Sequence, residues 1–124
     1  MIILVPVSIG ELCDKYTILQ IKKDKIKEPD KLSKIENEIL YLKPFIEQYN
    51  ISIDKLNELK SINEKLWEIE NNIRNKESQS LFDNEFIELA RLVYKTNDSR
   101  FELKSLINKY YNSEINEVKS YCKY

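Results

Sequence analysis

The sequence predicts an all-α protein, an antiparallel bundle of four to five helices behind a short extended N-terminal arm. Three observations predict it. One Gly and three Pro in 124 residues leave too few turn residues for a strand-rich fold. Hydrophobic residues make up 42% and charged residues 33%, which suits a globular chain rather than a disordered one. Apolar residues also recur at helical spacing through several long runs. The length fits one domain over residues 1–124, and no repeat, low-complexity tract or linker divides it.

The elements follow in order. MIILVPV reads as the extended arm, because Pro6 disfavours helix at the residue before it. Ser8 to Glu11 fits the S-x-x-E capping box, so the first helix starts at about Ile9 and ends near Lys27. A second helix runs from about Lys31 to Tyr49 with Asp30 as its cap, and Pro44 kinks it or tightens its last turns. In it Leu32, Ile35, Ile39, Leu42, Ile46 and Tyr49 fall on one side, a clean amphipathic stripe. Asn50-Ile51-Ser52 forms a turn, with Ser52 capping a third helix of about Ile53 to Lys76. The second and third helices read as an antiparallel hairpin of coiled-coil character. The polar ESQS stretch and Asp83 introduce a fourth helix, about Asn84 to Tyr111, and a short last helix is expected after Ser113.

Charge and composition exclude several function classes. The net charge is -1, with Lys and Glu interspersed, so no basic field suits nucleic acid. MIILVPV lacks a positive n-region, and no segment is long and apolar enough to span a membrane. The absence of His removes the usual acid-base group near neutral pH and the commonest metal ligand. Cys13 and Cys122 stand alone and read as reduced thiols of a cytoplasmic protein. Neither thiol has a His to activate it. Glu11-x-x-Asp14 and Glu85-x-x-Glu88 resemble the paired acidic helices of magnesium-dependent nucleotide pyrophosphatases, but that spacing arises easily by chance in an acidic chain. No metal and no cofactor is expected.

Polar residues inside apolar stripes are the best pointer to function. The richness in Lys, Ile, Asn and Tyr suits an AT-rich genome, so the three Arg residues, Arg74, Arg91 and Arg100, carry more meaning than any single Lys. In the fourth helix Phe86, Leu89, Ala90, Val93, Phe101, Ile107 and Tyr111 form the apolar arc. Asn97, Arg100 and Lys104 project into the middle of it. Arg91, Lys95, Asp98 and Glu102 phase outward as a solvated charge ladder. In the third helix Asn63, Glu70 and Arg74 fall inside or at the rim of a broad apolar arc. The first helix is apolar on two sides, with Asp14 set beside Ile18 and Ile21. Such a helix is central or covered by a partner, and its buried carboxylate needs a cation or several hydrogen bonds.

The resulting constellation is Asp14, Asn63, Glu70, Arg74, Asn97, Arg100 and Lys104. Two readings stand. It is a buried network that fixes helix register, or ion pairs at a dimer contact. Alternatively it lines a pocket in which Arg100 and Lys104 grip a carboxylate or phosphate, Asn63 and Asn97 orient the ligand, and Glu70 or Asp14 acts as acceptor or base. Trp67 is expected to pack between helices, and the tail SYCKY to cap one end of the bundle.

VPVSIGELCDKYTILQIK, KLWEIENNIR and FIELARLVYKTNDSRFELKSLIN together carry a resemblance. The chain resembles a bacterial family of unassigned function, with the pattern V-S-x-G-E-L-x-D-K-x-T-I-L, L-W-x-I-E-x-x-I-R and A-R-x-V-Y-x-x-N-D-x-R. The resemblance spans nearly the whole chain. It places Asp14, Lys15, Thr17, Glu70, Arg74, Arg91, Tyr94, Asn97, Asp98 and Arg100 on motif positions. It also implies an association with sugar and cell-surface polysaccharide genes. The expectation is a small cytoplasmic binding or adaptor protein with a polar inter-helix site. The alternative is an all-α enzyme acting on a sugar phosphate, nucleotide or carboxylate. A homodimer is expected from the two-sided first helix and from the unpaired arm.

Overall fold

A computed structural model describes the whole chain, Met1–Tyr124. It contains four helices, α1 (Ile9–Lys25), α2 (Pro29–Gln48), α3 (Ile53–Ser78) and α4 (Asn84–Tyr110), and no strand. The all-helical bundle is as the composition predicts.

α1 is the organising element. It packs against α2, α3 and α4, whereas α2 makes close backbone approach to α1 alone. The second and third helices are therefore not the coiled-coil hairpin expected from their stripes; the close antiparallel pair is α3 and α4. Its ends are tied by the Ser52 N–H donating to Tyr111 Oη at 2.7 Å and by Lys76 Nζ on Asp83 at 2.9 Å. This arrangement explains the two apolar sides of α1 within one chain. Leu12, Cys13 and Tyr16 enter a core with Ile46, Leu56, Leu59 and Ile107, while Ile21 is buried as well. Burying each such aliphatic side chain stabilises the fold by roughly 1.5–3 kcal/mol.

Helix ends show how a chain with one glycine turns. Asn50, Ser80 and Asn112 adopt left-handed backbone, with φ of 52°, 54° and 58°. Each is followed by a residue whose N–H closes on a carbonyl five residues back: Ile51 on Ile46, Leu81 on Lys76 and Ser113 on Asn108. Asn accepts this conformation more readily than most residues, and Ser80 has only a small side chain to accommodate.

Starts are more varied. Ser8 accepts from the Glu11 N–H at 3.0 Å, and Asp83 from the Phe86 N–H at 3.0 Å, as their cap positions predict. Asp30 is not a cap. α2 begins earlier, at Pro29, because a proline in the first turn has no N–H to leave unpaired and its φ is already helical. Ser52 holds the cap position of α3, but its hydroxyl caps nothing. α1 stops at Lys25, where Ile26 turns extended. Pro44 lies inside α2, which continues to Gln48.

Both termini lack regular structure. Met1–Val7, where an extended arm is expected, has no regular structure and is exposed throughout. The fifth helix after Ser113 is absent. The Ser113 hydroxyl accepts from the Ile9 N–H at 3.2 Å and donates to the Ile115 carbonyl at 2.8 Å, so it fastens the tail to the start of α1. The tail does not cap the bundle. It returns along α4, where Tyr124 Oη bonds Asp98 and its ring meets Tyr94 edge-on at 5.2 Å. No helix is long and apolar enough to cross a membrane.

Candidate functional site

Asp14 lies in the seam between α1, α3 and α4 and is 2% exposed. A bare carboxylate there would be costly, and the chain surrounds it with donors. Arg100 of α4 donates from Nε to Oδ1 at 2.8 Å and from Nη2 to Oδ2, a bidentate fork. Asn63 of α3 donates to Oδ1 at 3.0 Å and to the Thr17 hydroxyl at 3.0 Å. Thr17 in turn donates to the Asp14 backbone carbonyl at 2.9 Å. No buried side-chain nitrogen or oxygen is left without a partner.

Lys104 extends the network one turn along α4. Its Nζ is 3.8 Å from Asp14, 2.8 Å from Glu11 and 2.9 Å from Glu117 of the tail. The capping box is thus half realised. Ser8 caps α1, but the Glu11 carboxylate meets Lys104 instead of reaching back to the Ser8 N–H. One more turn along, the Asn108 side-chain carbonyl accepts from the Gly10 N–H at 2.6 Å. The glycine is required there, because a Cβ would lie 2.7 Å from the Lys104 carbonyl oxygen and 2.9 Å from Asn108 Oδ1. α1 and α4 approach closely at that point.

The charges are set by these contacts. Burial raises the Asp14 pKa, but the hydrogen bonds from Arg100 and Asn63 and the charges of Arg100 and Lys104 outweigh it, and the carboxyl sits below its ordinary value. Burial opposes charge on Lys104 too, yet the carboxylates of Glu11, Glu117 and Asp14 raise its pKa. Asp14 and Lys104 are both locked in the charged form, so neither is poised for proton transfer near neutral pH. Burial, with Asp14 next to it, pushes the Cys13 thiol up to about 12, which makes it inert.

The structure brings Asp14, Asn63, Asn97, Arg100 and Lys104 of the sequence constellation together. Asn97 accepts from Arg100 Nη1 at 3.3 Å. Glu70 and Arg74 lie further along α3 and pair with each other at 3.1 Å at the surface, outside the Asp14 network. The acidic pairs do not converge on a common point. Glu11 meets Lys104, Asp14 meets Arg100, Glu85 meets Lys76, and Glu88 meets Arg91. Arg91 and Asp98 phase outward as the periodicity predicts, and Asp98 is taken by the tail.

Two cavities flank Arg100. One, of about 350 Å³, has a floor of Ile18, Ile21, Leu66 and Trp67. Asn63, Glu70, Arg74 and Arg100 rim it, so Glu70 and Arg74 rejoin their sequence partners here as cleft walls. Trp67 is half-buried rather than enclosed between helices. The second cavity, of about 180 Å³, lies under the tail beside Asn97, Arg100 and Lys104. Sequence reasoning missed three participants. Asn108 continues the Asn97–Arg100–Lys104 ridge at helical spacing and was legible from it. Glu11 was absorbed by its capping role, and Glu117 sits in a tail with no periodicity to place it.

The chain belongs to a family of unknown function, DUF6165, whose model matches residues 3–123. No curated protein and no solved structure matches it.

Proposed function

With that membership as the premise, we propose that the protein is a small helical binding protein that takes an anionic ligand in the Trp67 cleft. One observation carries the reading. The cleft joins an apolar floor, with a half-buried indole, to guanidinium groups at its rim. Its volume of about 350 Å³ lies within the range of small-molecule sites. Arg100 is held in place by Asp14, which is how a binding arginine is preorganised. Arg74 donates from Nε to Glu70 and is 77% exposed, which leaves its terminal nitrogens open to a ligand. The indole offers a face for a base or sugar ring, and the terminal nitrogens of Arg74, with the positive charge of Arg100 in the cleft wall, offer a seat for phosphate or carboxylate.

Binding without catalysis is favoured over the enzyme reading. Asp14, the carboxylate nearest Arg100, is sealed, paired and held ionised. A role in surface-glycan metabolism is part of the proposal, supported by the motif resemblance alone, and makes sugar nucleotides the first ligands to test. A reducing cytoplasmic setting suits the two unpaired thiols. A homodimer remains part of the proposal and rests on the exposed apolar arm, since three helices of the same chain cover α1. Light scattering at micromolar concentration tests it; a monomer mass would count against it.

Trp67 is the one tryptophan, so its fluorescence reports on the cleft. Titration with sugar nucleotides should give a saturable change, and the matching uncharged sugars should give none. Equal responses to both would refute an anion clamp.

A further inference from the structure

The second cavity, under the tail, is bordered by Asn97, Arg100, Phe101, Lys104, Glu117 and Lys119. Lys104 is a buried cation whose Nζ spends one contact on the tail carboxylate of Glu117 at 2.9 Å. Lys119, also on the tail, lies over the Phe101 ring at 5.1 Å. With Glu117 in place, the cations Arg100, Lys104 and Lys119 face the carboxylates of Asp14, Glu11 and Glu117. With Glu117 removed, one positive charge is uncompensated.

Glu11 and Asp14 are fixed on α1, but Glu117 is not fixed on any helix. It sits in a segment without regular structure, held by few contacts: Ser113 at its start, Glu117 and Lys119 in its middle, and Tyr124 at its end. A carboxylate on a tether is an intramolecular competitor for its own cationic seat.

We propose that this cavity is an oxyanion site for a phosphate-bearing small molecule, with Glu117 as its internal occupant. A phosphate group carries roughly -1.5 to -2 at neutral pH against the single charge of Glu117, so it is the better partner for three cations. The ligand enters as the exposed Glu117 side chain swings out to solvent, with Lys119 still beside the cavity, and seats its oxygens on Lys104, with Arg100 and Asn97 beside them. The site shares Arg100 with the Trp67 cleft but opens from the tail side and does not depend on ligand binding in that cleft.

The test uses pyrophosphate as probe and sodium chloride at matched ionic strength as control. Isothermal titration should show Glu117→Gln binding pyrophosphate more tightly than the wild type, by roughly tenfold, because the variant no longer places a competing carboxylate on the Lys104 amine. Equal or weaker binding by the variant overturns the proposal. A second measurement needs no variant. Pyrophosphate should slow tryptic cleavage after Lys119 in the wild-type protein, because that cation is held on the ligand, and an unchanged or faster rate overturns the proposal. Glu117 borders the tail cavity and not the Trp67 cleft, so Glu117→Gln also separates the two sites: a pyrophosphate affinity that this variant leaves unchanged would put the anion in the Trp67 cleft and overturn the tail site.

Discussion

Replacing Arg100 with alanine should destabilise the protein by about 3 kcal/mol. Asp14 accepts hydrogen bonds from Arg100 Nε, Arg100 Nη2 and Asn63, so the substitution removes two of the three. Stranding one member of a buried ion pair costs about 3–5 kcal/mol. Two features place this case at the low end. The Arg100 side chain is 28% exposed, so water already screens part of the pair, and Lys104 stays 3.8 Å from the stranded carboxylate. Arg100→Lys keeps a charge and loses the fork, which should cost roughly 1–2 kcal/mol. Urea unfolding followed by circular dichroism at pH 7 reads both values. For a domain of this size the alanine variant should also melt about 10–15 °C lower. The double variant Asp14→Ala/Arg100→Ala should be less unstable than the sum of its singles by about 2 kcal/mol. A loss under about 1 kcal/mol for Arg100→Ala, or strict additivity in the double variant, would refute the reasoning.

Asp14 titrates below its ordinary value of 3.8 when folded, so its contribution is full above that pH and is lost as pH falls through the folded pKa. Asp14→Asn should therefore lose much stability at pH 7, and its deficit against wild type should shrink as acid approaches and passes that value. A deficit independent of pH down to acid unfolding would exclude the linkage. Gly10→Ala gains up to about 1 kcal/mol of helix propensity but drives a Cβ to 2.7 Å from a backbone carbonyl, so net destabilisation of about 1–2 kcal/mol is expected in urea melts. A stabilised variant would show that α1 and α4 have room to part. Asn108→Ala strands the Gly10 N–H and should cost about 1–3 kcal/mol by the same measurement. Cys13 is buried, with its thiol pushed up to about 12, and Cys122 is exposed. A colorimetric thiol reagent at pH 8 should thus modify Cys122 quickly and Cys13 only on unfolding; two fast thiols would contradict the burial.

Much of this was legible in the sequence where a single helix decides the outcome. The starts at Ser8 and Asp83, the low glycine content and the polar ridge of Asn97, Arg100 and Lys104 are local signals, and each matches the structure. Helical phase could place Asp14 inside a stripe and require a cation for it, but not choose between Arg74, Arg100 and Lys104. That choice depends on how α1 crosses α3 and α4, which periodicity does not encode. The same gap misassigned the helix pairing. α2 and α3 each carry an apolar stripe, and both feed the core they share with α1, but only α1 lies close to both backbones. Glu70 and Arg74 phased toward the seam, but they lie beyond its deepest part, so they meet at the rim. The tail was misread for a different reason. Its anchors are single contacts, Glu117 to Lys104 and Tyr124 to Asp98, with no repeating pattern to announce them.

Arg74→Gln offers the most direct test of the proposed binding site. The residue is 77% exposed and its pairing with Glu70 is a surface ion pair, so its loss should change stability by less than about 1 kcal/mol. Calorimetric titration of wild type and variant with the sugar nucleotide that perturbs Trp67 fluorescence should show binding in the first and at least a tenfold loss in the second, as a cost of about 1.4 kcal/mol or more would produce. Unchanged affinity in a fully folded Arg74→Gln protein would contradict the account, because the Trp67 cleft would then bind without its anion clamp.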